Sequence, residues 1–170
     1  MVTSAPALPN KSVSEVVLLD TNVLIIYARE GEPAKQLERI IGLQSGAIEA
    51  VASVVTIGEA FAFGKKANWG DARLEKLWEL VRTKMVPVDI NRPEILVAYA
   101  EIDHYCEKVA KPARPIGQND LWIAATARVL NCTLITTDKD FDHLHETMLR
   151  RQWIDPESLR PKAGPANPIE

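Results

Sequence analysis

The 170 residues, 46% of them hydrophobic, suffice for one domain of ordinary size with a sizeable buried core. A formal net charge of -3 argues against a protein that holds nucleic acid through bulk positive charge, while leaving room for a local basic rim. Cys106 and Cys132 are too few and too isolated for a disulfide framework or a zinc site. No segment approaches the ~20 apolar residues that cross a bilayer, and Met1 to Lys11 lacks the apolar core of a targeting peptide. The expectation is a cytoplasmic protein with buried thiols.

Residues 1–14, with Pro6, Pro9 and several Ser, read as a flexible N-terminal extension, and residues 161–170, rich in Pro, as a flexible tail. Residues 15–160 form the domain. Its first feature is the aliphatic run from Val16 to Leu19, which reads as a strand buried on both faces and ends abruptly in Asp20. Asn22 to Ala28 is a short helix, broken by Gly31-Glu32-Pro33, and Ala34 to Leu43 is a second helix with Leu37, Ile40 and Ile41 on one face. Ala47 to Val55 is β-prone, Thr56 to Lys66 helical, and Asp71 to Met85 helical with Leu74, Leu77, Leu80 and Val81 together. Met85 to Val88 is a short strand. Pro93 opens a long helix to about Ala110, Lys111 to Gln118 is a loop, Asn119 caps a helix from Asp120 to Leu130, and Cys132 to Thr136 is again a buried strand. The alternation predicts an α/β fold of three layers, α/β/α, around a mainly parallel sheet of four to five strands.

Four acids lie where a strand or loop hands over to a helix N-terminus: Asp20, Glu59, Asp120 and Asp138. Each has an ordinary structural explanation. Asp20 caps a helix, Thr56-Ile57-Gly58-Glu59 has capping-box spacing, Asp120 favours its helix terminus, and Asp138 makes a turn with Thr136 and Thr137. A parallel sheet, however, gathers such junctions along one edge. Four carboxylates in one cleft repel and raise one another's pKa unless a cation neutralises them. With no His or Cys in the set, hard-oxygen chemistry favours Mg²⁺ or Mn²⁺ over zinc or iron. An ion held this way suits phosphodiester hydrolysis, where it polarises a phosphoryl oxygen and acidifies water.

The segments Leu19-Asp20-Thr21-Asn22-Val23-Leu24, Thr56-Ile57-Gly58-Glu59-Ala60, Asn119-Asp120-Leu121-Trp122-Ile123-Ala124-Ala125-Thr126-Ala127 and Leu134-Ile135-Thr136-Thr137-Asp138-Lys139-Asp140-Phe141 resemble, in that order and spacing, the PIN-domain nucleases. The nearest likeness is to the VapC-type toxins of toxin–antitoxin pairs. The resemblance spans about Val16 to Phe141. It implies that Asp20, Glu59, Asp120 and Asp138 hold Mg²⁺ or Mn²⁺ and activate water, with Thr136 and Asn22 hydrogen-bonding around them. It further implies a metal-dependent endoribonuclease, an RNA substrate, a cognate antitoxin lying in a groove beside the acids, and a homodimer. Single-stranded or looped RNA is the expected target, because the chain has no broad basic face for a duplex.

Asp140 and Asp142 read as solvated helix-start acids, and His104, His143 and His145 fall outside the matched motifs. Trp78 and Trp122 read as core, whereas Trp69, beside Gly70, is the candidate for stacking on an unpaired base. Lys65, Lys66, Arg73, Lys111, Arg114 and Lys139 are candidates for lining a phosphate approach. Two competing functions share the pattern. A non-catalytic RNA- or protein-binding module is opposed by the intact set of four acids. A phosphatase with Asp20 as nucleophile, as in haloacid dehalogenase-like enzymes, needs a second Asp where Asn22 stands.

Overall fold

The computed structural model describes residues 15–160, so both predicted extensions lie outside the described residues. In chain order the elements are β1 (Glu15–Leu19), α1 (Thr21–Arg29), α2 (Gly31–Ile41), β2 (Ile48–Ser53), α3 (Val54–Lys66) and α4 (Asp71–Lys84). There follow β3 (Met85–Val88), α5 (Pro93–His104), α6 (Gln118–Val129), β4 (Thr133–Thr136) and β5 (Arg150–Trp153). The strands make one parallel sheet in the order β3-β2-β1-β4-β5. The predicted α/β/α architecture is therefore present.

Strand geometry sends successive side chains to opposite faces, and β1 shows how this divides the core. Val17 and Leu19 join the cluster formed with α1, α2 and α4, including Leu24, Leu37, Leu77 and Val81. Leu18, between them, joins the other cluster, with Ile95 and Ile102 of α5 and Ile123 of α6. Both layers close over a strand with no polar position between Val16 and Leu19, which is why the run reads as continuously apolar. A tight contact inside the first layer requires Gly64: a Cβ there would lie 2.9 Å from both Leu74 Cδ2 and Trp69 Cε3.

Several expectations need correction. The α2 helix starts at Gly31, because Glu30 and Gly31, at φ 58° and 80°, turn the chain sharply, and Pro33 sits in the first turn, where its missing N–H breaks no helical bond. Ser53, not Thr56, caps α3 through its hydroxyl, 3.3 Å from the Val55 amide, which leaves Thr56 buried inside the helix and removes the capping box. The α5 helix ends at His104 and runs into a π-helical turn over Tyr105–Val109. Gly117 rather than Asn119 precedes α6. Trp69 is 8% exposed and packs edge-on to Phe63, so it is not a free stacking platform. Trp78, by contrast, is 43% exposed and leans on Phe61. The sheet has five strands, within the expected four to five, but the sequence predicts no element at Arg150–Trp153, where β5 lies. Cys106 and Cys132 are buried free thiols, as expected, and among the described residues no helix is long and apolar enough to cross a membrane.

Candidate active site

In the order β3-β2-β1-β4-β5 the chain steps outward from β1 in one direction and later returns on the other side, so its topological switch lies between β1 and β4. The residues that leave these two strands at their carboxyl ends are Asp20 and, just past Thr136, the turn carrying Asp138. The Asp20 amide donates to the Ile135 carbonyl at 3.0 Å, carrying the ladder one step beyond the strand. Its side chain is 3% exposed and caps α1: Oδ1 accepts the Thr21 amide at 2.7 Å and Oδ2 the Thr136 hydroxyl at 2.7 Å. Thr136, itself fully buried, accepts the Asp138 amide on the same hydroxyl oxygen at 2.9 Å. One hydroxyl thus ties the two acids together.

Glu59 comes from the second turn of α3. Its Oε2 accepts the Thr21 hydroxyl at 2.7 Å and its Oε1 the Asn119 amide at 2.6 Å. A carboxylate has about four acceptor positions, so each oxygen retains a free one. Asp120 lies in the first turn of α6 behind Gly117, where a Cβ would come within 3.0 Å of Asp120 Oδ2. A side chain at Gly117 would occupy the space beside that carboxylate. Among the described residues the Asp120 carboxylate accepts no hydrogen bond.

The electrostatics follow from this packing. Burial pushes Asp20 up to about 6, against the pull of its two hydrogen bonds and with help from the Asp138 and Glu59 charges. Burial also pushes Asp120 up to about 7, reinforced by Asp20, Glu59, Asp138 and Asp140, and nothing prominent opposes it. Asp20 and Asp120 thus each feel the charge of other members of the set. Among the described residues no three His, Cys, Asp or Glu side chains stand as a group that could hold a metal ion, so the acids share one edge and one field without forming a closed cage. A donor set of carboxylates short of positive charge, with one member free of hydrogen bonds, fits a hard divalent cation that keeps much of its water.

Sequence reasoning missed two residues. Thr21 and Asn119 hold Glu59, and both stand next to predicted acids, so adjacency within the motifs was the available signal. Thr136 has the predicted hydrogen-bonding position, whereas Asn22 is exposed and has no such bond to the acids. Asp142 is not simply solvated: it pairs with Arg151 at 2.7 Å. His104, His143 and His145 make no hydrogen bond to the four acids; His143 Nε2 instead lies 3.2 Å from Cys106 Sγ. Lys139 lies over the Trp153 ring at 4.7 Å and Arg73 over Trp69 at 5.5 Å.

Fold and site define a parallel α/β domain with an acidic cluster at its topological switch. A family model described as the PIN domain matches residues 17–146, and the chain belongs to that family. A protein named Ribonuclease VapC1 from a strain of Haemophilus influenzae is 33% identical over 143 residues, covering 82% of this chain and 97% of that protein. Among solved structures, VapBC-1 from nontypeable Haemophilus influenzae superposes with a TM-score of 0.59 at 30% identity, covering 81% of this chain and 97% of that one. VapBC2 from Rickettsia felis, solved with a DNA fragment from its promoter, has a TM-score of 0.65 at 19% identity over 80% of this chain and 98% of that one, a likeness of fold.

Proposed function

We propose that this chain is a metal-dependent endoribonuclease and the toxin member of a toxin–antitoxin pair, hydrolysing RNA phosphodiester bonds at the sheet edge that carries Asp20, Glu59, Asp120 and Asp138. The observation that carries the reading is the state of Asp120: a carboxylate without a hydrogen-bond donor among the described residues, pushed up to about 7 by burial and by Asp20, Glu59, Asp138 and Asp140. A fold would not retain such a destabilising arrangement for helix capping alone, since a single acid at a helix terminus serves that purpose. Similarity to proteins named ribonuclease and to structures of toxin–antitoxin complexes supports the nuclease, the RNA substrate and the antitoxin partner.

The four acids would hold Mg²⁺ or Mn²⁺. When bound, the ion supplies charge at a phosphoryl oxygen and acidity to water. The chain's own residues do the rest. Thr21 and Asn119 fix Glu59 through both oxygens, and Thr136 fixes Asp20 while holding the amide of Asp138. These bonds orient two carboxylates and place the main chain of a third residue before any ligand arrives, which lowers the ordering cost of binding. Asp120, raised to about 7, holds a proton for part of the time at neutral pH and must release it when a cation binds. Lys139, next to Asp138, supplies a cation at the rim for a substrate phosphate.

The test is cleavage of a single-stranded RNA oligonucleotide by the chain separated from any antitoxin, with Mn²⁺, with Mg²⁺ and with chelator. Cleavage is expected only with metal, and Asp120→Asn and Asp20→Asn are each expected to abolish it. Undiminished turnover in either variant, or cleavage unaffected by chelator, would refute the reading.

A further inference from the structure

Strand β5 lies beyond the residues matched by the family model, which end at 146, and its sequence Arg150-Arg151-Gln152-Trp153 carries none of the acids. It pairs in parallel with β4, setting Arg151 opposite Leu134 and Trp153 opposite Thr136. Arg151 and Trp153, two apart, share a face of the strand, and both are half-buried while Arg150 and Gln152 are exposed.

From this strand and the residue after it come donors to three consecutive carbonyls at the end of β4. The Ile154 amide donates to Thr136 O at 2.9 Å, the Trp153 indole N–H to Thr137 O at 3.1 Å, and Arg151 Nη1 to Asp138 O at 3.4 Å. Arg151 Nη1 also pairs with Asp142 Oδ1 at 2.7 Å, so the same guanidinium grips the turn at two points four residues apart. A further tie is the Lys139 ammonium over the Trp153 ring. The other bonds of this turn are local: Asp138 N–H to Thr136 Oγ1, Asp140 N–H to Asp138 Oδ1 and Asp142 N–H to Lys139 O. Thr136 ties the start of the turn to Asp20 through its hydroxyl, and β5 grips the main chain that follows, at Thr137 and Asp138.

Arg151 is costly at this position. Its side chain is 11% exposed and its Nε is buried without a hydrogen-bond partner. Burying a guanidinium is unfavourable unless its interactions offset the lost hydration, and an apolar residue would suit a merely packed strand better. We propose that Arg151, seconded by Trp153, is the positioning residue of the acidic site, holding the main chain of Thr137 and Asp138 so that the Asp138 carboxylate faces Asp20. The role acts through Asp138 and rests on the assignment of Asp138 to the donor set above.

The test uses the full chain and does not depend on turnover. Mn²⁺ affinity is measured by titration calorimetry, and exchange of the Asp138 and Asp140 amides is followed by NMR in the metal-free protein. Arg151→Met is expected to weaken Mn²⁺ binding about tenfold, the size of loss seen when groups behind metal ligands are removed, and to accelerate exchange of both amides. Arg151→Lys, which keeps a cation for Asp142, should recover part of the loss. Trp153→Phe, which removes the indole N–H donor while keeping an aromatic ring under Lys139, should shift both readouts the same way by less, and it carries the test if Arg151→Met does not fold. Arg150→Met, whose guanidinium bonds the Asn131 carbonyl instead, should change neither. Wild-type affinity and exchange in Arg151→Met and Trp153→Phe, with Asp138→Asn losing Mn²⁺, would overturn the positioning role and leave the donor set standing. Wild-type affinity in Asp138→Asn would overturn the donor assignment, and this role with it.

Discussion

Replacing Asp120 by Asn is the cleanest probe of the acidic cluster, because among the described residues the carboxylate accepts no hydrogen bond that an amide would break. A rise from 3.8 to about 7 means that the folded protein binds this proton more tightly than the unfolded chain. Between those values the folded state carries the extra proton, so stability falls as pH rises through the window and the penalty is complete above it. At about 1.4 kcal/mol per pKa unit the penalty reaches an upper bound of about 4 kcal/mol at pH 8 and about 2 kcal/mol at pH 5, both reduced by solvent screening at this half-buried side chain. The substitution removes the penalty and forfeits only the favourable placement of a charge at the α6 terminus, about 0.5 kcal/mol. The metal-free Asp120→Asn protein should therefore melt higher than wild type at pH 8, by up to roughly 10 °C for a chain of this size. The advantage should shrink by more than half at pH 5. Thermal melts in chelator across pH 5 to 8 provide the measurement. A variant no more stable at pH 8, or one whose advantage is independent of pH, would show that neither burial nor the other acids raise the Asp120 pKa.

Mn²⁺ should raise the wild-type melting temperature more at pH 7 than at pH 5, because at pH 5 it must displace protons from Asp20 and Asp120; a larger shift at pH 5 would refute convergence of the acids. Thr136→Val keeps the shape but removes the donor to Asp20 Oδ2 and the acceptor for the Asp138 amide, and should cost about 1–3 kcal/mol in a denaturant melt at pH 8. An unchanged midpoint would mean that the hydroxyl does not hold the pair. The chain should form a homodimer in light scattering, and a monomer at every concentration tested would count against that assembly.

Where the sequence was readable, one dominant pattern decided the structure. The run Val16 to Leu19 has both faces apolar, and only a strand between two helical layers satisfies that, so β1 and its neighbours were legible. Strand β5 was not, for a physical reason: as an edge strand with Arg150 and Gln152 exposed, it needs no apolar run, and its pairing comes from the backbone of β4. Trp69 and Trp78 are inverted because the helical pattern around Trp78 reads as core, whereas Trp69, beside Gly70 and between two helices, reads as free. What separates them is Gly64, whose missing Cβ opens the slot that Trp69 fills, while Trp78 is left to lean on Phe61.

The site was legible as a set of acids and illegible as a network. Charges at strand and helix junctions can be found along a chain because topology collects them. Their hydrogen bonds cannot, since Thr21 to Glu59 spans 38 residues, Asn119 to Glu59 spans 60 and Thr136 to Asp20 spans 116. The misread caps share this cause. Thr56 and Asn119 have the right identity and spacing for local capping, but Ser53 and Gly117 start those helices earlier, and Asn119 is thereby released to reach Glu59. A residue suited to capping its own helix serves a neighbouring one, and the local rule fails at the point where the site draws on it. The same logic separates the four acids. Asp20 and Glu59 have both oxygens bonded, and Asp138 is anchored through its amide and its Oδ1. Asp120 alone among them has a carboxylate without a donor, so it is the member whose charge the fold leaves for a ligand to neutralise.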